Sequence, residues 1–166
     1  MRKRNPVSEN ELTQVKRRIL ETFGEVANSI GYSPLHGQVI GVLLIKGEPV
    51  SLQKLASETG YSTSTLSLSL DLLEVLGVIK KIKKTGDRRL YIQLHGDLLG
   101  ALKKAIMLRL EKSITSSLNE FKDCKERIAR LSGEEKEKLV HSIDILEGHI
   151  KRLESYVDIL SKMELP

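Results

Sequence analysis

Six basic residues, Lys80, Lys81, Lys83, Lys84, Arg88 and Arg89, stand in the segment 78–95 against a single acidic residue, Asp87. The flanking segments 1–77 and 96–166 each hold equal numbers of basic and acidic residues, so the formal +5 of the 166-residue chain lies in this one segment. Cations grouped in this way bind phosphate oxygens, and the segment reads as the electrostatic footprint of a polyanion. A second reading is that lysines on an exposed strand edge keep it from pairing with other chains. Just upstream, residues 62–69 read Ser-Thr-Ser-Thr-Leu-Ser-Leu-Ser, a hydroxyl-rich run suited to hydrogen bonding. It is not a nucleophile motif, because no His or Asp stands in pattern with it and there is no Gly-x-Ser-x-Gly elbow. Glycine-rich phosphate loops are absent too. No catalytic residue and no cofactor are assigned, and the chain reads as a non-enzyme. The four histidines, at 36, 95, 141 and 149, are scattered, and His141 and His149 stand about 80° apart around a helix axis, too far for joint chelation. With one cysteine, Cys124, no metal site is assigned.

These groups need elements to hold them. From Ser8 to about Ile30 the residues Leu12, Ile19, Phe23, Val26 and Ile30 follow a helical period, ended by Gly31 and the Tyr32-Ser33-Pro34 run. Pro34 to Lys46 predicts a more apolar, buried helix stopped by Gly47 and Pro49. Ser51 or Leu52 opens a short helix with Leu52, Leu55 and Ala56 on one face, closing at Thr59-Gly60. Ser62 caps a fourth helix that runs to Leu76, and Gly77 supplies a left-handed exit. The pattern then alternates. Val78 to Lys84, the Thr85-Gly86-Asp87 turn and Leu90 to Leu94 predict a two-stranded hairpin.

From Asp97 onward two long heptad patterns follow one another. Leu110, Ile114, Ser117, Phe121, Cys124, Ile128 and Leu131 alternate steps of four and three. Ser132-Gly133 breaks the run, and Leu139, Ile143, Leu146, Ile150, Leu153, Val157 and Leu160 repeat the spacing. These are two helices in an antiparallel hairpin. Their apolar stripe, together with outer residues such as Leu102, Leu118, Ile145 and Ile159, exceeds what one hairpin covers, so a homodimer is expected. The fold class is mainly α with a small β-hairpin. Residues 1–96 form a winged helix-turn-helix domain with an N-terminal helix, and residues 97–166 a helical dimerisation hairpin.

A helix pair joined by a short Gly-containing turn and followed at once by a basic hairpin is the order of helix-turn-helix and wing. Its partner is double-stranded DNA, with the helix from Thr63 to Leu76 in the major groove and the wing on flanking phosphates. Thr63, Ser64, Thr65, Ser67 and Leu68 are the base-contact candidates; Lys80, Lys81, Lys83, Lys84, Arg88 and Arg89 are the backbone candidates. The helix carries no Lys or Arg, so the bidentate Arg-to-guanine contact is missing there. Readout falls to hydroxyls and to apolar contact with thymine methyls, with a large electrostatic term beneath it.

The run STSTLSLSLDLLEVLGVIKKIKKTGDRRLYI, residues 62–92, resembles the winged-helix core of MarR-type transcriptional regulators, and its spacing is similar to the GbsR-type branch. VSLQKLASETGYS, residues 50–62, fits the first helix of that family's pair. The resemblance covers residues 8–94 and extends to the closing hairpin only in kind. It implies a dimeric DNA-binding regulator in which the terminal helices form the dimer and Arg88 or Arg89 sits at the wing tip. The family's recognition helix often carries a Lys or an Asn near its start, where this chain has Thr63 and Thr65, a departure that concerns operator preference.

Hydrophobic residues make up 40% of the chain, enough for a packed core and too many for a disordered one. The longest apolar stretch, Val39 to Ile45, is broken by Gly41 and is far short of a membrane span, and no membrane partner is expected. Met1-Arg2-Lys3-Arg4 runs into polar residues rather than a secretory apolar region, and a cytoplasmic protein is expected. Arg2-Lys3-Arg4 itself reads as a solubilising tail or as an arm for a minor groove. A small-molecule effector is left open and unidentified, with Phe23, Tyr32, Leu35 and Leu102 as the expected lining. The reading is a homodimeric DNA-binding transcriptional repressor. The alternative is a winged-helix protein-interaction module working through the C-terminal hairpin, without sequence-specific DNA binding.

Overall fold

The computed structural model describes residues 9–130 and 133–164. In order it contains α1 (Glu9–Ser29), α2 (Pro34–Lys46), β1 (Val50–Ser51), α3 (Leu52–Thr59), α4 (Thr63–Val75), β2 (Ile79–Lys83), β3 (Leu90–Leu94), α5 (Leu98–Ala129) and α6 (Glu134–Lys162). The chain divides into two units after Ala101, within the first turn of α5 rather than at its start. Arg2-Lys3-Arg4 and Leu131-Ser132 lie outside the described residues. Among the described residues no helix is long and apolar enough to cross a membrane.

In the first unit α2 is the central element, packed against α1, α3, α4 and β3. Its residues Leu35, Val39, Val42 and Leu43 are almost wholly buried, which is why this helix is apolar on nearly every side. Pro34 occupies the first turn, where its missing N–H costs nothing, and the Ser33 hydroxyl accepts from the Leu35 N–H. Two glycines set how closely α1 and α2 approach. A Cβ at Gly37 would lie 1.9 Å from the Phe23 carbonyl oxygen, and one at Gly41 would lie 2.9 Å from Leu20 Cδ2. At Gly37 the backbone of α1 occupies the place of a side chain, and at Gly41 the Leu20 side chain crowds it.

The sheet has three strands rather than the two expected, in the order β1-β3-β2 and antiparallel throughout. Val50 pairs with Ile92 and Ser51 with Tyr91. A two-residue strand has no period to read, and its partner lies far along the chain, so local pattern does not reveal it. Ser51 also caps α3, its hydroxyl accepting from Lys54 N–H. α4 ends as expected: Gly77, at φ 80°, donates its N–H to the Glu74 carbonyl, and Val78 donates to Leu73. This is the Schellman arrangement, and the positive φ is the reason for glycine.

The second unit is an antiparallel pair of helices. Lys125 on α5 bridges Asp144 and Glu147 of α6, each at 2.6 Å, and Lys103 near the start of α5 donates to the Met163 carbonyl just past the end of α6. Glu147 also meets Lys151, and its carboxyl falls to about 2 because Lys125, and then Lys151, donate to it. The heptad stripe divides in two. Ile114 and Val157 are buried, and Leu110, Phe121, Cys124, Ile128, Ile143 and Ile150 are half-buried. Leu139, Leu146, Leu153 and Leu160 stay 41–50% exposed. They recur every seven residues and stand about 40° around the helix from the Ile143 row, a displacement that four residues at 3.6 per turn produce.

Candidate nucleic-acid interface

α3, the turn at Gly60–Ser62, and α4 form a compact pair, with β2 packed on α4. Leu66, Leu70 and Leu73 fix the inward face of α4, each no more than 2% exposed. The opposite face carries Ser64, Leu68, Leu72 and Val75 outward.

The start of α4 is a hydroxyl cluster closed on itself. Ser62 caps the helix by accepting from the Thr65 N–H at 3.2 Å, and its hydroxyl lies 2.9 Å from Ser64 Oγ and 2.8 Å from Thr65 Oγ1. Ser67 Oγ donates to the Thr63 carbonyl at 2.9 Å. Of the five base-contact candidates, Thr63, Ser64, Thr65 and Leu68 are exposed and Ser67 is half-buried. The hydroxyls of Ser64, Thr65 and Ser67 already have local partners.

The wing sorts its six cations into two sets. Lys81 turns toward α4, where its ammonium pairs with Asp71 and, at 3.0 Å, with Glu74, while its backbone N–H donates to Glu74 Oε1 at 3.2 Å. The Asp71 carboxylate, with Glu74, raises the Lys81 pKa, and Lys81 in turn lowers that of Glu74. Arg89 is held by Asp87. Its Nε lies 3.0 Å from both carboxylate oxygens, Nη2 lies 2.6 Å from Oδ2, and its backbone N–H donates to Oδ1 at 2.9 Å. The Tyr91 hydroxyl donates to the same carboxylate at 2.8 Å. This guanidinium, more than any other group, holds Asp87 well below the usual carboxylate range, and the hydrogen bond to Asp87 pushes the Tyr91 phenol up. Lys84 covers the Tyr91 ring at 4.2 Å, a cation–π contact that also buries the ring.

Lys80, Lys83, Lys84 and Arg88 are exposed and pair with no carboxylate among the described residues. Sequence reasoning collected all six cations and gave them one role. It missed Asp71, Glu74, Asp87 and Tyr91 as the residues that fasten two of them. The Asp71-x-x-Glu74 spacing, which puts two carboxylates on one side of a helix, was the available signal. Of the expected effector-lining residues, Leu35 is 1% exposed and belongs to the core. His141 and His149 are exposed, and among the described residues no three His, Cys, Asp or Glu side chains gather to hold a metal.

No family model matches the chain, and no curated protein does. Among solved structures, the crystal structure of a transcriptional regulator aligns with TM-score 0.56 at 19% identity, covering 90% of this chain and 99% of its own. NadR in complex with 4-hydroxyphenylacetate aligns at 0.39 and 20% identity, covering 99% and 98%. A mutant of Staphylococcus aureus MepR bound to an oligodeoxyribonucleotide aligns at 0.41 and 16% identity, covering 85% and 94%. The first of these fixes the architecture and nothing finer: the chain is similar in fold to that regulator, a winged helix-turn-helix with a small antiparallel sheet followed by two long helices.

Proposed function

We propose that this chain is a DNA-binding transcriptional regulator, a homodimer that represses by occupying its operator, with α4 in the major groove and the β2–β3 wing on flanking phosphates. The observation that carries the reading is the Lys81 tie to Asp71 and Glu74. It fastens the wing to α4 and offsets one of the two carboxylate charges on the helix that would repel phosphate, leaving Lys80, Lys83, Lys84 and Arg88 facing outward. A protein that shares this fold at TM-score 0.56 is itself a transcriptional regulator. The resemblance of residues 50–92 to MarR-type regulators, and in spacing to the GbsR-like branch, supports the same reading.

Homodimerisation rests on α6, whose four exposed leucines form a heptad row that water contacts in the single chain. A second copy would remove such a row from water. A cytoplasmic location follows from work on DNA. An effector, if the regulator takes one, is unidentified. The competing reading, a protein-interaction module, draws on the exposed leucines of α4 and α6. Anisotropy of labelled random duplex across a salt series, with solution mass recorded alongside, separates them. A dimer whose affinity falls steeply with salt supports the regulator; a chain that ignores DNA at low salt supports the module.

A further inference from the structure

Of the hydroxyl and apolar contacts that the sequence of α4 offers, the outward face favours the apolar ones. Leu68, Leu72 and Val75 are 75%, 36% and 68% exposed, and steps of four and three place them in one row along the helix. Beside them the hydroxyls of Ser64 and Thr65 are taken up by Ser62, and Ser67 bonds back to the Thr63 carbonyl. The two acidic residues of α4, Asp71 and Glu74, share the Lys81 ammonium, which offsets one of their two charges. What remains is an apolar ridge, its flanking carboxylates half offset by Lys81, next to a wing with four exposed cations.

In a major groove the base feature complementary to such a ridge is the thymine C5-methyl; the other groups of both A·T and G·C pairs there are donors and acceptors that leucine cannot satisfy. A ridge that displaces water from those donors and acceptors is penalised at both kinds of pair, and only the thymine methyl repays part of that cost, which favours A·T. We propose that Leu68, flanked by Leu72, reads thymine methyl groups, so that the protein selects duplex DNA with thymines beneath this row. The inference rests on the DNA-binding reading above and names the class of sequence it takes. A protein partner would also cover exposed leucines, but the unpaired cations of the same unit supply complementarity to phosphate.

The test compares two duplexes of one alternating adenine–thymine sequence, the second with deoxyuridine in place of every thymine, in anisotropy titrations at two salt concentrations. Wild type is expected to bind the thymine duplex about fourfold tighter for each methyl group buried. Leu68→Ala, a change at an exposed position with melting behaviour as its folding check, is expected to lose that preference, its thymine-duplex affinity falling to meet the uracil one. Equal wild-type affinities for the two duplexes, with binding still salt-dependent, would overturn methyl readout and leave DNA binding standing. A preference that survives in Leu68→Ala would assign it to duplex shape instead and also overturn the proposal. No binding to either duplex would overturn both readings and assign the row to a protein partner.

Discussion

Replacing Lys80, Lys83, Lys84 and Arg88 together by alanine probes the division of the wing into tied and exposed cations. Each phosphate contact contributes about 0.9 to the slope of log affinity against log salt in B-DNA. Four such contacts per subunit contribute about 3.6, and a dimer engaging both wings about 7. A slope of that size corresponds to roughly a 10⁴-fold loss of affinity between 50 and 200 mM salt. The quadruple variant is expected to bind random duplex weakly and with a nearly flat salt dependence. All four side chains are exposed and lack carboxylate partners, so its stability should stay within about 0.5 kcal/mol per substitution of wild type, with up to about 1 kcal/mol at Lys84 for its lost contact with the Tyr91 ring. The assay is anisotropy on random duplex at several salt concentrations, with thermal melting as the control. A folded variant that keeps the wild-type slope would refute the wing as the phosphate-binding element. A partial loss should divide between single variants, with Lys83→Ala and Arg88→Ala each lowering the slope by about 0.9 per subunit.

Gly37→Ala places a methyl group where the Phe23 carbonyl oxygen stands, at 1.9 Å, and should destabilise the chain by about 3 kcal/mol or more in urea unfolding; a loss under about 0.5 kcal/mol would mean that α1 and α2 separate freely. Leu146→Glu with Leu153→Glu, on the exposed α6 row, should convert the dimer to monomer in sedimentation, because two carboxylates cannot be buried there without partners; an unchanged dimer would locate the interface elsewhere. The Glu147 carboxyl sits at about 2 in the folded chain, below its ordinary value of 4.5, so its contribution to stability is present above about pH 4.5 and fades as pH falls toward 2. Melting curves of wild type and Glu147→Gln should therefore differ at neutral pH and converge in acid, and a constant difference across that range would contradict the Lys125 pairing.

Much of this fold is legible residue by residue. Ser33, Ser51 and Ser62 stand before their helices because a hydroxyl can accept the N–H groups that a first turn leaves unpaired. Gly77 marks the end of α4 for a local reason as well, since the Schellman exit requires positive φ. The third strand was not legible. Val50 and Ser51 join the sheet only through Ile92 and Tyr91, and a pairing that distant leaves no trace in a two-residue segment. Gly37 and Gly41 read as weak points in a helix until α1 is seen lying against them.

At the candidate site the sequence by itself determined the kind of chemistry. Net charge is additive along a chain, so the excess of cations in segment 78–95 is fixed before folding, as is the absence of Lys and Arg from α4. Tertiary structure decided which cations face solvent. An ion pair depends on where two side chains meet, and only the packing of β2 on α4 brings Lys81 to Asp71 and Glu74, ten and seven residues away. The same holds for the leucines of α6. Their heptad spacing is written in the sequence, but which half of the stripe meets α5 and which half faces water depends on the rotation of one helix against another, and that is set by side-chain packing across the pair.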